Sequence, residues 1–577
     1  MLLCLSASLS LFSCSAKSQD APPTFAYLYN TGEGHRAIGE YLQSALSVAG
    51  LSVSLMNQEW GTFLNTRRLG EYTLARNGWL ADYSDPISFL DMWTSNSGSN
   101  DIGFGKGEHK NISIYTLDLR ELGYDINIEN GTWANTYDRL IGIIKSERDT
   151  ERRFALMHKA EDMLMDTGCI TPIYYYTDIY MLKSSVSGFF SSPTGTKYFL
   201  GCDNGGRSNM SVCLASEPES LDPAHNTTTD GSSLISHLFS GLAAWRDDGE
   251  GGAYIAADCA EELPEGTLND DGTVSYIYTL REGLLWSDGV PLVASDFEYA
   301  WKRAADPRTG AEYGYMLDVL YGYGGDNPDE LGVKALDERH LEVTLASPVS
   351  YFNELLTHSV YMPVRSDIVT SESWAADART YIGNGPFVMD AWEHNSYISL
   401  SRNELYHDKE RVKMKNLKFY LSDDANNALT GFKNGTLQLI DNIPTNEIPA
   451  LQKNYPSEFF VKGQIGTYYI CWNINRRILP RGSTLSGNEA AIAEGRIRRA
   501  ISRLIDRNYI CESIGQAGQV PASSFVALGI KEPSGEEFCR IAGGNTEYYG
   551  YFDTSREAFP AGVAEAMRVL SEYYSLK

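Results

Sequence analysis

The chain has no cysteine spacing that would build a metal ribbon or a redox pair. Its 9 Cys are scattered and none forms a C-x-x-C, which removes zinc-ribbon and thioredoxin-type readings. There is no H-E-x-x-H, no G-x-S-x-G and no P-loop, so the common carriers of metalloprotease, serine-hydrolase and nucleotide chemistry are missing. The glycine cluster Gly103-Phe104-Gly105-Lys106-Gly107 lacks the spacing of a dinucleotide loop and reads as a turn. Positive charge is scarce: 48 Lys and Arg face 75 Asp and Glu, a net charge of −27. Such a surface excludes nucleic acid as a partner, because phosphate backbones need basic faces. Beyond the N-terminal region no apolar run reaches 18 residues, so the body of the chain holds no membrane-spanning helix by this criterion.

What is present is size and aromatic content. The 577 residues exceed one core and suggest roughly three to four domains or lobes. Aromatics make up 12%, with 36 Tyr and 10 Trp, side chains that pack in cores and also line clefts with polar tips. Met1 to Phe12 is apolar or small, and Leu11-Phe12-Ser13-Cys14 resembles a lipobox, although the first Lys is Lys17. A run this short fits a signal h-region rather than a span. Residues 1–21 therefore read as a signal or lipoprotein segment, Cys14 as the lipidation candidate, and the location as periplasmic or cell-surface, with a lipid anchor as one alternative.

From Thr24 the pattern alternates. Strands are expected at Thr24–Tyr29, Leu51–Met56, Tyr72–Trp79 and Ile173–Tyr176, with helices over His35–Val48 and Tyr137–Asp166. This order argues for an α/β lobe. A seam rich in Ser, Gly, Thr and Asn spans 191–209 and reads as a linker or as the vestige of a former N-terminus. It holds Leu200-Gly201-Cys202-Asp203-Asn204, lipobox-like but without an apolar run before it. Beyond the seam, strands are expected at Ser211–Ala215, Ser275–Leu280 and His340–Leu345, and helices at Asp296–Ala304 and Ala561–Tyr574.

Several motifs then carry a resemblance. Tyr278-Thr279-Leu280-Arg281-Glu282-Gly283, Trp286-Ser287-Asp288-Gly289-Val290-Pro291, Asp296-Phe297, Ser216 to Pro223, Gly383-Asn384-Gly385-Pro386-Phe387 and Arg498 to Arg507 resemble family 5 extracellular solute-binding proteins, the peptide receptors of ABC importers. Residues 22–199 resemble the C-terminal part of the same family through Asn57-Gln58-Glu59-Trp60, Thr66-Arg67-Arg68 and Ala75 to Tyr83. The family's order is thus reversed, as in a circular permutation. The resemblance implies an α/β, two-lobed periplasmic binding protein fold (type II, cluster C-like) with an additional α/β domain. The ligand-binding lobe would comprise 22–177 with 467–577, the first lobe 178–239 with 365–466, and the additional domain 240–364.

A receptor for short peptides needs an anion for the ammonium, a cation for the carboxylate, and free strand edges for the amides. The resemblance assigns Asp82 to the α-amino group, Gly78 and Leu80 to backbone contacts beside Trp79, and Thr229 to the facing edge. Arg76 and His35 would meet the ligand carboxylate, the His charged or water-bridged near neutral pH. Trp60, Trp79, Tyr313 and Tyr469 are expected to line the cleft. Asp85 reads as turn chemistry before Pro86. A Lys that the family uses for shorter ligands falls near Gly515 and is absent, and a disulfide of close members falls at Leu80 and Gly466, both non-Cys. No catalysis, cofactor or metal is expected; the partners would be peptides of about two to five residues and permease subunits. Competing readings keep the fold with a nickel chelate, haem or oligosaccharide as ligand, make the chain a hydrolase, or make it a rearranged product without function.

Overall fold

The computed structural model describes residues 20–214, 217–249, 252–325, 327–371, 373–544 and 548–576; the lipobox with Cys14 lies outside them. The first part of the chain runs β1 (Thr24–Asn30), α1 (Glu33–Val48), β2 (Ser52–Gln58), α2 (Trp60–Arg68), β3 (Leu74–Leu80), α3 (Thr150–Asp166) and β4 (Ile170–Leu182). Then come β5 (Asn209–Leu214), α4 (Thr229–Leu238), β6 (Phe387–Glu393), β7 (Tyr397–Arg402), β8 (Asn416–Leu421), β9 (Leu439–Ile440), β10 (Phe459–Trp472), α5 (Gly487–Ser502) and α6 (Phe559–Ser571). Spacing explains the helices: α1 turns Ile38, Leu42 and Leu46 inward at i, i+4, i+8.

A single sheet of order β6-β7-β8-β5-β9-β4-β10-β3-β1-β2 threads the two lobes. The two long strands β4 and β10 pass between them. Over Ile170–Tyr175 β4 pairs with Thr467–Cys471, and over Thr177–Met181 with Phe459–Gly463, leaving Gln464 to Gly466 opposite Tyr176 alone. Such a bulge bends the ribbon. β3, β1 and β2 lie on one side of it and β9, β5, β8, β7 and β6 on the other. The expected strand Ile173–Tyr176 is thus only the middle of a 13-residue strand. Nearly all of β4 is buried, so it shows no polar alternation to mark its ends. Beside the large sheet, Val274–Thr279 pairs with His340–Leu345 in a smaller antiparallel sheet. The helix Ala294–Ala305 buries Phe297, Ala300 and Trp301 there.

Two expectations need correction. The helix over Tyr137–Asp166 is broken: Arg139–Ser146 ends, and Asp149 caps α3 by accepting the Arg152 N–H. The seam is not a loose linker. Phe190–Ser191 pairs with Lys197–Tyr198, and Phe199 and Cys202 are completely buried. Its polar composition serves turns, such as Gly195 at φ 95°. Its apolar members pack on His237 and Phe419. The helix expected at Ala561–Tyr574 is α6, and just past it Ser575 N–H donates to Asp20 O at 2.9 Å.

Candidate functional site

β10 pairs β3 from Leu74 to Leu80, but β1 pairs it only at Leu74 and Ala75. From Arg76 onward the other edge of β3 carries no strand among the described residues. That edge forms one wall of a cavity of about 660 Å³ between the lobes. Thr194, Thr227 to Asp230, Tyr313, Tyr315 and His358 face it. Gly78 suits the close approach: a Cβ there would lie 2.3 Å from the Tyr176 hydroxyl oxygen. Its N–H is held by the Asn77 side chain at 2.8 Å rather than by a strand. Trp79 lines the cavity with its Nε1–H bonded to Ser88 O at 2.7 Å.

Asp82 stands just past the end of β3. Its Oδ2 accepts the Tyr315 O–H at 2.9 Å, and its own N–H donates to Ser88 Oγ at 3.0 Å. Burial pushes its carboxyl up to about 8, against the pull of that phenol. Asp85 does shape the turn, accepting the Ile87 N–H at 3.0 Å, and it also pairs in a fork with Arg153 at 2.7 and 2.9 Å. Arg76 has the opposite character. Its guanidinium lies 5.8 Å from the Trp60 ring and 5.5 Å from the Tyr468 ring, and its buried Nε has no partner. No carboxylate pairs with it among the described residues. Arg76 and Leu80 lie about 13 Å apart along the strand, at about 3.3 Å per residue, with Asp82 farther on.

Thr229, Trp60, Leu80 and Tyr313 also line the cavity. His35 does not: it stacks on Tyr468 with ring centroids 5.8 Å apart, behind Arg76. Burial and the neighbouring guanidinium hold it well below the usual imidazole range, so it is neutral rather than charged. Tyr469 is wholly buried against Trp93 and Phe525, away from the cavity. It follows Tyr468 on β10, and successive side chains point to opposite faces. Leu80 and Gly466 are register partners, and the Leu fills the space: a Cβ on Gly466 would lie 2.4 Å from Leu80 Cδ2. Sequence reasoning missed Tyr315 and His358. The only available signal was Tyr313-Gly314-Tyr315, two phenols two residues apart.

The cleft is shut in this structure. Arg68 meets Glu312 at 3.1 Å across the rim, the rings of Tyr83 and Tyr351 stack at 4.4 Å, and the Ser84 N–H donates to Glu354 Oε2 at 3.0 Å. Among the described residues no cluster of three His, Cys, Asp or Glu could hold a metal, no disulfide forms, and no helix is long and apolar enough to cross a membrane.

A two-lobed α/β clamp with a polar-ended cavity at the lobe junction defines a solute-binding protein. The chain belongs to the bacterial extracellular solute-binding proteins, family 5, whose middle region matches residues 14–101 and 255–538. It is 31% identical over 364 residues to the oligopeptide-binding protein OppA of Bacillus subtilis, covering 61% of this chain and 62% of that one. Against the periplasmic oligopeptide-binding protein OppA of Salmonella typhimurium it is 30% identical over 320 residues, covering 54% of this chain and 55% of that one. The solved murein tripeptide binding protein MppA of Escherichia coli superposes with a TM-score of 0.52 at 26% identity, over 63% of this chain and 66% of that one. The chain thus spans less than two thirds of the length of these relatives.

Proposed function

We propose that this protein captures short peptides outside the cytoplasm and delivers them to an ABC importer without chemical change. The observation that carries this reading is the charge layout of one free strand edge. Among the described residues a guanidinium without a carboxylate partner stands at Arg76, and a carboxylate met by the phenols of Tyr315 and Tyr313 stands at Asp82, in the same cavity. An extended zwitterion of several residues complements that layout, its amides meeting the open edge between Gly78 and Leu80. A haem or a neutral oligosaccharide would bring no ammonium to pair with Asp82.

The reversed order of the family's segments belongs to the same proposal. The Ser575–Asp20 hydrogen bond sets the end of the second stretch beside the start of the first, as a permuted chain requires. Attachment through Cys14 and transfer to permease subunits complete the reading. It is tested by native mass spectrometry of the purified protein, followed by calorimetry with tri- to pentapeptides. Co-purifying peptides, and at least about tenfold weaker binding in Asp82→Asn, are expected, since a charge-assisted hydrogen bond is lost. Affinity of the variant equal to that of the wild type would remove Asp82 as the anchor.

A further inference from the structure

Tyr315 donates a hydrogen bond to Asp82 from across the cleft at 2.9 Å, and Tyr313 assists it with a smaller effect on the carboxylate. Tyr315 sits in the short 3-10 stretch Glu312–Val319, between the buried Gly314 and Met316. That stretch is held from below, because the Tyr361 O–H donates to Met316 O at 2.7 Å. The Tyr313 ring, 5.7 Å away by centroid, limits the Tyr315 ring from the side. Asp82 is fixed from its own side by the bond from its N–H to Ser88 Oγ. Two independently braced groups therefore meet at 2.9 Å across the cleft.

We infer that Tyr315 is a positioning residue for ligand recognition: it occupies Oδ2 of Asp82 on closure, leaves Oδ1 for the ammonium of the ligand, and holds the carboxylate in the orientation and charge state that an ammonium needs. This rests on the reading of Asp82 as the amine anchor. A carboxylate offers about four lone-pair sites, so one phenol does not exhaust it. A hydrogen bond to the charged form favours that form. The surroundings otherwise disfavour it. Asp91 faces Asp82 with like charge, itself tied to Lys145 at 3.1 Å. Tyr313 also addresses the carboxylate, and His358, stacked on Tyr313 at 5.1 Å, is held neutral by burial. Tyr315 is thus the main local donor that opposes burial and Asp91. It acts only in the closed form, so closing the lobes and readying the anchor are one event.

The experiment compares wild type, Tyr315→Phe and Asp82→Asn by calorimetry between about pH 5.5 and 9.5, with trialanine and with N-acetyl-trialanine. A thermal melt confirms that each variant folds. Tyr315→Phe should bind trialanine about tenfold more weakly near neutral pH. The pH at which its affinity rises should move upward, because the carboxylate ionises later. Its affinity for the N-acetyl peptide, which has no ammonium, should match wild type. If Tyr315→Phe binds trialanine as wild type does with the same pH profile, or weakens both peptides equally, the positioning role is wrong and the residue is only a packing group. If wild type itself does not distinguish the two peptides, or Asp82→Asn binds trialanine as wild type does, the amine-anchor reading fails instead.

Discussion

At the scale of single residues, Asp82 links affinity, protons and stability. Burial pushes its carboxyl up to about 8, far above the ordinary carboxyl value, so without an ammonium beside it the protonated form is favoured at pH 7. Pairing with an ammonium requires the charged form. Peptide binding at pH 7 should therefore release a fraction of a proton approaching one, seen as different calorimetric heats in Tris and phosphate. The same shift fixes a sign for stability. A carboxyl raised on folding contributes stability that is complete below its unfolded value, near pH 4, and is lost as pH rises toward 8. Asp82→Asn, neutral throughout, should match wild type in melting temperature near pH 4 and exceed it increasingly up to pH 8 in the absence of ligand. A variant that binds worse and melts higher marks a residue kept for recognition. Asp82, Arg76, Trp79 and Tyr313 were legible because motifs or chemistry single them out. The expectation that Tyr469 lines the cleft fails, because adjacent residues on a strand differ in parity and parity decides the face each side chain takes. That parity depends on a register that local sequence does not state.

At the scale of elements, the β4–β10 ribbon and the turn after β3 do the positioning. Alternating segments announced β1, α1, β2 and β3, and the expected boundaries fall within a few residues of those observed. β4 was under-read because burial on both faces erases its period. The seam was over-read as linker because Gly and Ser needed for tight turns look like flexibility when Tyr198 and Phe199 are counted lightly. The partnership of Leu80 with Gly466 gives a prediction here. Directly opposed antiparallel residues have Cα atoms about 4.5–5.5 Å apart, inside the range a disulfide bridges. Leu80→Cys with Gly466→Cys should close a bond under oxidising conditions, measured as two fewer titratable thiols in denaturant. Gly466→Ala alone should destabilise by about 1–3 kcal/mol, because its Cβ would lie 2.9 Å from Trp79 O, a backbone atom that cannot swing away.

At the scale of the whole molecule, closure is a balance of unequal contacts. The exposed Arg68–Glu312 pair contributes little, as surface pairs do. Lys145 matters more. It joins Asp91 to Asp318, and both carboxylates hold its ammonium well above the usual lysine range. Lys145→Met leaves those carboxylates facing each other without a cation, which favours the open form. Apparent peptide affinity should fall about tenfold through the lower closed population. Small-angle scattering of the unliganded variant should show a larger radius of gyration than wild type. An unchanged radius would assign Lys145 to local packing alone.

The pairing of β3 with β10 also governs how the chain is made. Asn77 on β3 contacts Cys471 on β10, a separation of 394 residues. At about 5–20 residues per second of synthesis, β3 waits roughly 20–80 s for its partner strand. During that interval the β10-facing edge of β3, and the apolar β4 once it is made, are bare strands, the kind of surface that pairs with neighbouring chains. Long-range pairing of this sort also folds slowly. The protein's yield in a cell therefore depends on how well its first two hundred residues are kept apart from other chains until the last third arrives.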